Sequence, residues 1–266
     1  MKLYTNMFRF FQDFLPGAAR RVLNFLFPQR CLLCGSFLRG EYVPLCDSCA
    51  AKMTVAEGPR CRVCSRLLIS ENDLCMDCRA AAAAAGTGRE SGGAFLAFQF
   101  ESNFSLFSYQ DPLVMELIIS YKGRKRRSLA VFFAEKILEI YRRAWDGLPI
   151  VPVPGRRASV KKRGYDQIAL LCGKLRKRGG IRILPLLERE RKTREQKTLN
   201  REERAKNLRG SIRAAKKFSR YVPEGMPEEV LLLDDVFTTG STARACAGAL
   251  KSIGVKKVYV CTIAQD

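Results

Sequence analysis

Residues 229–242 read EVLLLDDVFTTGST, and the rest of the chain is interpreted outward from them. Four apolar residues, Val230 to Leu233, end at two carboxylates, Asp234 and Asp235; a turn rich in Thr, Gly and Ser follows, then the helical pattern ARACAGALKSIG. A continuous apolar run of this kind predicts a buried parallel strand. The carboxyl ends of such strands are where open α/β sheets bind ligands. Thr238, Thr239, Gly240, Ser241 and Thr242 lie at the start of the expected helix, so backbone N–H groups, hydroxyls and the helix dipole together make an anion site suited to phosphate. Gly240 permits a backbone conformation that a side chain resists. Two adjacent carboxylates repel a phosphate aimed at them, so they suit the hydroxyls of a polyol that carries the phosphate, or a magnesium ion. A sugar phosphate satisfies both halves. The pattern GxxxxGK[ST] is absent, which disfavours a nucleoside triphosphatase.

The chain has 266 residues, enough for one large domain or a small one beside a medium one. It carries 47 basic and 26 acidic residues, a formal charge of +21. That excess favours polyanionic partners: nucleic acid, an anionic lipid surface or a phosphorylated substrate. Residues 1–80 hold eleven bases and seven acids, the remainder 36 and 19, so the positive field belongs to the C-terminal part. Histidine is absent, which excludes a Ser-His-Asp triad, a histidine general base and any mixed Cys and His metal site.

Eight of the eleven cysteines form four CxxC pairs: Cys31/Cys34, Cys46/Cys49, Cys61/Cys64 and Cys75/Cys78. Each CxxC turn presents two sulfurs on one side of a knuckle, and two pairs close one tetrahedral zinc site, so two structural zinc ions are expected. Consecutive pairing gives a double zinc ribbon, while crossed pairing gives an interleaved form; spacing alone leaves both open. A disulfide framework needs an oxidising compartment, and no compact secretory signal is evident at the N-terminus. Residues 28–80 hold too few large apolar side chains for an independent core, whereas a structural zinc contributes on the order of 10 kcal/mol to folding in small modules. Four thiolates around zinc carry −2, so two sites bring the formal charge to about +17. Cys172, Cys246 and Cys261 sit in apolar surroundings and read as core residues.

Residues 1–27 form an N-terminal amphipathic segment, MFRFFQDFLPGAARRVLNFLF from Met7, divided by Pro16 and Gly17. Its expected place is against the zinc module or the sheet, a membrane surface being the other reading. No run reaches the length of a spanning helix. After the ribbon, the alanine tract and Gly/Ser stretch over 81–93 read as a short helix frayed into a linker. The α/β domain then occupies 94–266, with strands expected at Ala94–Phe100, Ile150–Val153, Ile181–Leu187 and Lys257–Ile263 besides the central one. Helices are expected after Asp111 and through Arg143. The loop after Val153 leads through Lys161, Lys162, Arg163 and Gly164 and suits a pyrophosphate. Residues 188–211 are charged and nearly free of large apolar side chains, which fits a solvated helix, a mobile flap over the site, or both.

LLLDDVFTTGST resembles the 5-phosphoribosyl-1-pyrophosphate (PRPP) motif of type I phosphoribosyltransferases. FLFPQRCLLCG, ISYKGR, VPVPGRR with KRGYDQ, and the spaced Arg191, Thr193, Gln196, Leu199, Arg204 and Asn207, in that order around four CxxC pairs, resemble the bacterial competence protein ComF family over nearly the whole chain. Tyr165 and Asp166 stand where that family more usually has Phe and Asn, and the alanine tract is not a family feature. The resemblance implies a type I phosphoribosyltransferase-like parallel sheet flanked by helices, preceded by a small double zinc ribbon. It implies a cytoplasmic protein linked to DNA uptake and to handling of single-stranded DNA, with PRPP or a related ribose phosphate and magnesium as ligands and DNA-uptake proteins as partners. By the same resemblance, Asp234 and Asp235 contact the ribose, and Val236, Phe237, Thr238, Thr239, Gly240, Ser241 and Thr242 form the 5′-phosphate loop. Lys122, Arg163 and Gly164 lie on the pyrophosphate side. The acceptor of a phosphoribosyl transfer is not readable. A second reading retains the fold as a catalytically inactive nucleic-acid-binding scaffold in which Tyr109, Tyr121 and Tyr165 stack bases; a third is a zinc-ribbon adaptor.

Overall fold

Val230 to Leu233 are fully buried because the strand that carries them lies inside a sheet, with a paired neighbour on each side. The computed structural model describes residues 29–38, 44–69, 73–84, 98–124, 126–189 and 212–266. The expected N-terminal segment 1–27, residues 85–93 of the linker and residues 190–211 of the charged stretch lie outside them. The chain divides after Lys52 into two compact units.

The first unit contains the Cys31 knuckle and helix α1 (Asp47–Ala51). The second opens with the Cys61 knuckle and helix α2 (Met76–Ala84), which takes up the start of the alanine tract. Strand β1 (Ser102–Ser108) follows, then α3 (Pro112–Lys122) and α4 (Leu129–Ala144). Next come β2 (Ile150–Pro152), α5 (Arg157–Arg163) and α6 (Gln167–Gly179). Two short strands, β3 (Leu187–Arg189) and β4 (Ile212–Ala214), precede β5 (Glu229–Phe237), α7 (Ser241–Lys251) and β6 (Lys257–Gln265).

The main sheet has the order β1-β6-β5-β2 and all its pairs are parallel. Alternate residues Val151, Val153, Val230, Leu232, Val258 and Val260 enter one core with α7 and the Cys61 knuckle. Strand alternation sends Leu231, Leu233 and Ile263 to the opposite face, where α6 packs on β2 and β5 and α4 packs on α6. Both faces are thus covered, as the continuous apolar run requires. The chain is an α/β fold with helices flanking a parallel sheet and two four-cysteine knuckles ahead of it in sequence.

Local signals set several helix starts. Asp111 accepts from Leu113 N at 2.8 Å ahead of Pro112, the first residue of α3. Asp166 Oδ1 accepts from Ile168 N at 2.9 Å and Ala169 N at 3.1 Å, capping α6.

Two expected strands are placed differently. The one read at Ala94–Phe100 begins at Ser102, because Gln99 takes a positive φ of 61° and breaks extended backbone. The run Ile181–Leu187 is not one strand: Ile183 makes a single parallel bridge to Ile150, and Leu187 starts β3, antiparallel to β4. Glu188 and Arg189, read as the start of the charged stretch, belong to β3.

The Cys61 knuckle closes the open edge of the main sheet. Asn103 N donates to Arg62 O at 2.8 Å, Ser105 N donates to Ser65 Oγ at 2.8 Å, and Arg60 Nη1 donates to Ser105 O at 3.2 Å. The guanidinium of Arg60 also lies over the Phe104 ring, 4.7 Å from its centre. β1 would otherwise present unpaired N–H and C=O groups along this edge. Composition places a linker at 81–93; the contacts instead group the second knuckle with the sheet.

Candidate functional site

Pairing of the cysteines is consecutive. Sγ atoms of Cys31, Cys34, Cys46 and Cys49 lie within 4.8 Å of one another, as do those of Cys61, Cys64, Cys75 and Cys78. Cys34 and Cys46 Sγ are 3.6 Å apart, and Cys64 and Cys75 Sγ are 3.7 Å apart. A tetrahedron with zinc–sulfur bonds of about 2.3 Å has edges of about 3.8 Å, so both donor sets fit zinc. These separations are far beyond a disulfide bond, about 2.05 Å.

The two knuckles repeat at a spacing of 30 residues: Arg30-Cys31-x-x-Cys34-Gly35 and Arg60-Cys61-x-x-Cys64-Ser65. In each, the arginine donates to the carbonyl of the residue after the second cysteine, at 3.1 Å. That residue has positive φ, 74° for Gly35 and 64° for Ser65. Glycine adopts this freely. Ser65 is held there with its hydroxyl engaged by Ser105 N.

β5 delivers the two acids, and they part company. Asp234 lines a pocket with Val236, Phe237, Thr238, Gly240, Thr242, Ala243, Val260 and Thr262, about 260 Å³ of empty space that includes open solvent. Its Oδ1 accepts from Asp235 N at 2.8 Å. Burial and the neighbouring Asp235 charge push its carboxyl up to about 7, against the pull of Lys122 and Arg189. Asp235 is held on both oxygens: Lys122 Nζ lies 2.9 Å from Oδ1, and Gln167 Nε2 donates to Oδ2. Alternation along the strand sends adjacent side chains to opposite faces, which explains the split.

The loop after β5 turns at Gly240, with φ of 71°, ahead of α7. A side chain there would meet the Phe237 ring at 2.8 Å. Thr239 Oγ1 and Ser241 Oγ are 2.8 Å apart. The loop therefore gathers hydroxyls and helix-start amides beside Asp234, an arrangement able to receive a phosphate.

Basic side chains come from the neighbouring loops. α5 buries none of its residues, and Arg156, Arg157, Lys161 and Lys162 are exposed. Arg163 ends α5 ahead of Gly164, with its Nε buried and without a hydrogen-bond partner. Arg189 Nε donates to Pro154 O at 2.8 Å, and burial, with Arg156 pushing the same way, lowers its pKa. Arg127 Nη2 donates to Gly164 O at 3.5 Å, and its guanidinium lies 4.9 Å from the centre of the Tyr165 ring.

Of the residues read from sequence, the structure joins Lys122 to Asp235 and sets Thr238, Gly240 and Thr242 around Asp234. Arg163 and Gly164 lie beyond, at the end of α5. Base stacking on Tyr121 is ruled out: its side chain is fully buried, and Tyr121 Oη donates to Gln167 O at 2.5 Å. Tyr165 Oη donates to Tyr121 O. Sequence reading missed Gln167 and Arg189; the nearest signals were the terminal Gln of RGYDQ and the first arginine of the charged stretch.

These features define a class: two four-cysteine zinc knuckles followed by a parallel α/β sheet with a paired-acid loop at the end of β5. The double zinc ribbon domain family matches residues 22–79. Competence protein F of Haemophilus influenzae is 31% identical over 117 residues, 44% of this chain and 49% of the relative, so the chain spans about half the length of that protein. Competence protein ComFC of Streptococcus pneumoniae is 24% identical over 245 residues, 86% of this chain and 96% of the relative. Among solved structures, a hypoxanthine phosphoribosyltransferase from Staphylococcus aureus aligns at a TM-score of 0.30 and 15% identity, over 51% of this chain and 62% of that one. The two curated relatives, the double zinc ribbon match and the two four-cysteine centres support placing the chain with the ComF-type competence proteins. Among the described residues no helix is long and apolar enough to cross a membrane.

Proposed function

We propose that the chain binds PRPP or a related ribose phosphate at the carboxyl end of β5 and acts as a phosphoribosyltransferase. One observation carries the reading: Asp234 shares a pocket with the hydroxyl-rich loop at the start of α7. The 5-phosphate sits on Thr238 to Thr242, and the ribose hydroxyls face Asp234. Lys122, Arg156, Arg163 and Arg189 supply positive charge where a pyrophosphate leaves, and their preorganised field stabilises it. Magnesium prefers oxygen donors and arrives with substrate phosphates; the carboxylate of Asp234 fits it, and the ion would neutralise phosphate charge. Asp234 must be ionised to serve, so binding strengthens as pH rises through about 7.

Calorimetric titration with PRPP and magnesium tests this. An Asp234→Asn, Asp235→Asn double variant is expected to lose PRPP binding while keeping two zinc ions. Unchanged binding in that variant rejects the site.

A second reading rests on the exposed basic helix α5 and on the names of the relatives, both competence proteins. Here the chain holds single-stranded DNA beside the ribose-phosphate pocket during DNA uptake, alongside uptake proteins. Affinity for an oligonucleotide then falls with salt, with a log–log slope of about −0.7 per neutralised phosphate. Replacing Arg157, Lys161 and Lys162 with Gln reduces that slope. Binding that ignores salt removes this reading and leaves the first standing.

A further inference from the structure

The two four-cysteine knuckles are alike hydrogen bond for hydrogen bond. Cys31 N donates to Ser36 O and Cys61 N to Arg66 O; Leu32 N donates to Pro44 O and Arg62 N to Asp73 O; Leu38 N donates to Gln29 O and Leu68 N to Pro59 O. Arg30 with Phe37, and Arg60 with Leu67, each form one antiparallel bridge. What differs is the covering of one face. On the second knuckle that face holds an extended strand: Arg62 O accepts from Asn103 N, Arg60 Nη1 donates to Ser105 O, and the ring of Phe104, between those two residues, lies against the Arg60 guanidinium. Ser65 is shut away at the same contact, 1% exposed. The matching positions of the first knuckle are Leu32, Arg30 and Gly35. Among the described residues nothing donates to Leu32 O. Arg30 and Cys34 are exposed where Arg60 and Cys64 are half-buried, and a Cβ added to Gly35 would meet nothing within 4 Å. The Arg30 guanidinium lies 4.1 Å from the centre of the Phe37 ring, itself 56% exposed.

We propose that the first knuckle is a docking site for an extended segment of another protein, held as the second knuckle holds β1. Leu32 O accepts the N–H of residue i of that segment, and Arg30 donates to the carbonyl of residue i+2. An aromatic side chain at i+1 meets the Arg30 and Phe37 pair, as Phe104 meets Arg60. Main-chain hydrogen bonds to an extended peptide supply affinity, and the side chain between them supplies specificity. A second copy of this chain has no such strand to offer among the described residues. Both edges of its main sheet are taken, β1 by its own second knuckle and β2 by the bridge from Ile183 to Ile150.

The probe is a fluorescein-labelled peptide of residues 101–109, ESNFSLFSY, titrated with the zinc-loaded full chain and followed by anisotropy. Zinc content and thermal melts check each variant. Arg30→Ala is expected to weaken binding about tenfold or more, since a charge-assisted hydrogen bond and a ring contact go together. Gly35→Ser supplies the hydroxyl that in Ser65 accepts from Ser105 N, and should tighten binding about fivefold. A peptide N-methylated at Asn103 should bind about tenfold more weakly to unaltered protein, which keeps the test decisive if Arg30→Ala does not fold. Undiminished affinity in Arg30→Ala or for the methylated peptide overturns the proposal, as does an absence of binding by wild type and Gly35→Ser alike. Binding lost in Ser65→Ala but kept in Arg30→Ala also overturns it, because the peptide is then exchanging with β1 at the second knuckle. Two results would overturn it by naming another occupant. A wild-type dimer in sedimentation that Arg30→Ala dissociates assigns the face to a second copy, and binding that appears only once residues 1–27 are removed assigns it to this chain's own start.

Discussion

Ser105 Oγ and Thr262 Oγ1 lie 2.7 Å apart where β1 meets β6, both shut away from solvent. On one side, Ser105 N donates to Ser65 Oγ in the turn of the second four-cysteine knuckle. On the other, Thr262 is in register with Asp234 and lines the same pocket. Three buried hydroxyl-bearing residues thus connect a zinc knuckle to the acid of the candidate site.

Loss of the second zinc is therefore expected to unfold more than a knuckle. A structural zinc contributes on the order of 10 kcal/mol in small modules, comparable with the entire stability of a typical domain, about 5–15 kcal/mol. Cys61→Ser with Cys78→Ser should remove one zinc and abolish the cooperative melt of the α/β unit. Cys31→Ser with Cys49→Ser should also remove one zinc, yet leave that melt within a few degrees, since those ligands belong to the other unit. Elemental analysis and calorimetry check both. Equal effects of the two pairs would refute the assigned asymmetry.

The Ser65 turn gives an ordered pair of effects. Ser65 pays backbone strain at its φ of 64°, roughly 1–2 kcal/mol, and its hydroxyl satisfies a buried N–H whose orphaning costs about 1–3 kcal/mol. Ser65→Ala keeps the strain and loses the bond, so it should destabilise by about 1–3 kcal/mol. Ser65→Gly loses the bond and relieves the strain, so its cost should be smaller by about 1 kcal/mol. Denaturant unfolding decides, and a Gly variant less stable than the Ala variant contradicts the account.

These couplings mark where sequence reading stops. The zinc sites were legible because CxxC spacing is local chemistry, although only the sulfur positions separate consecutive from crossed pairing. β5 and its loop were legible because Val230 to Thr242 carry strand, acids and helix start in one continuous stretch. The capture of Asp235 by Lys122 and Gln167 was not, since those residues lie 113 and 68 positions away and meet only through packing of α3 and α6. The strand at Ser102–Ser108 was misplaced for a related reason: SNFSLFS buries the polar Asn103 and Ser105, and a buried serine at 105 is explained only by its Ser65 and Thr262 contacts.

Asp234 should make stability depend on pH. Its folded-state pKa, raised to about 7, exceeds the value near 3.9 of an unfolded chain. The folded protein then binds more protons between those values, and unfolding free energy falls as pH rises from about 4 to 7. Asp234→Asn removes the ionisation and still accepts from Asp235 N. The variant is expected to gain on the order of 1–3 kcal/mol over wild type at pH 8, with the advantage fading below pH 4. Chemical denaturation at pH 5 and pH 8 measures it, and a pH-independent difference would exclude the raised carboxyl.

Lys122 and Asp235 offer a test with opposite signs. Their side chains are 31% and 14% exposed, with Nζ 2.9 Å from Oδ1, so the pair is partly desolvated and breaking it should cost less than the 3–5 kcal/mol of a fully buried pair, about 1–3 kcal/mol for Lys122→Met. Lys122 also draws the Asp234 carboxyl down, whereas Asp235 drives it up. In Lys122→Met, Asp234 should therefore titrate at higher pH than in wild type, because a cation has gone and the Asp235 charge remains. In Asp235→Asn, it should titrate at lower pH, because the repelling charge has gone and Lys122 is released to act on Asp234 alone. Carbon-13 NMR of the carboxyls follows both shifts directly. Movement of Asp234 in the same direction in the two variants would mean that the cation and the acid do not share this corner in solution.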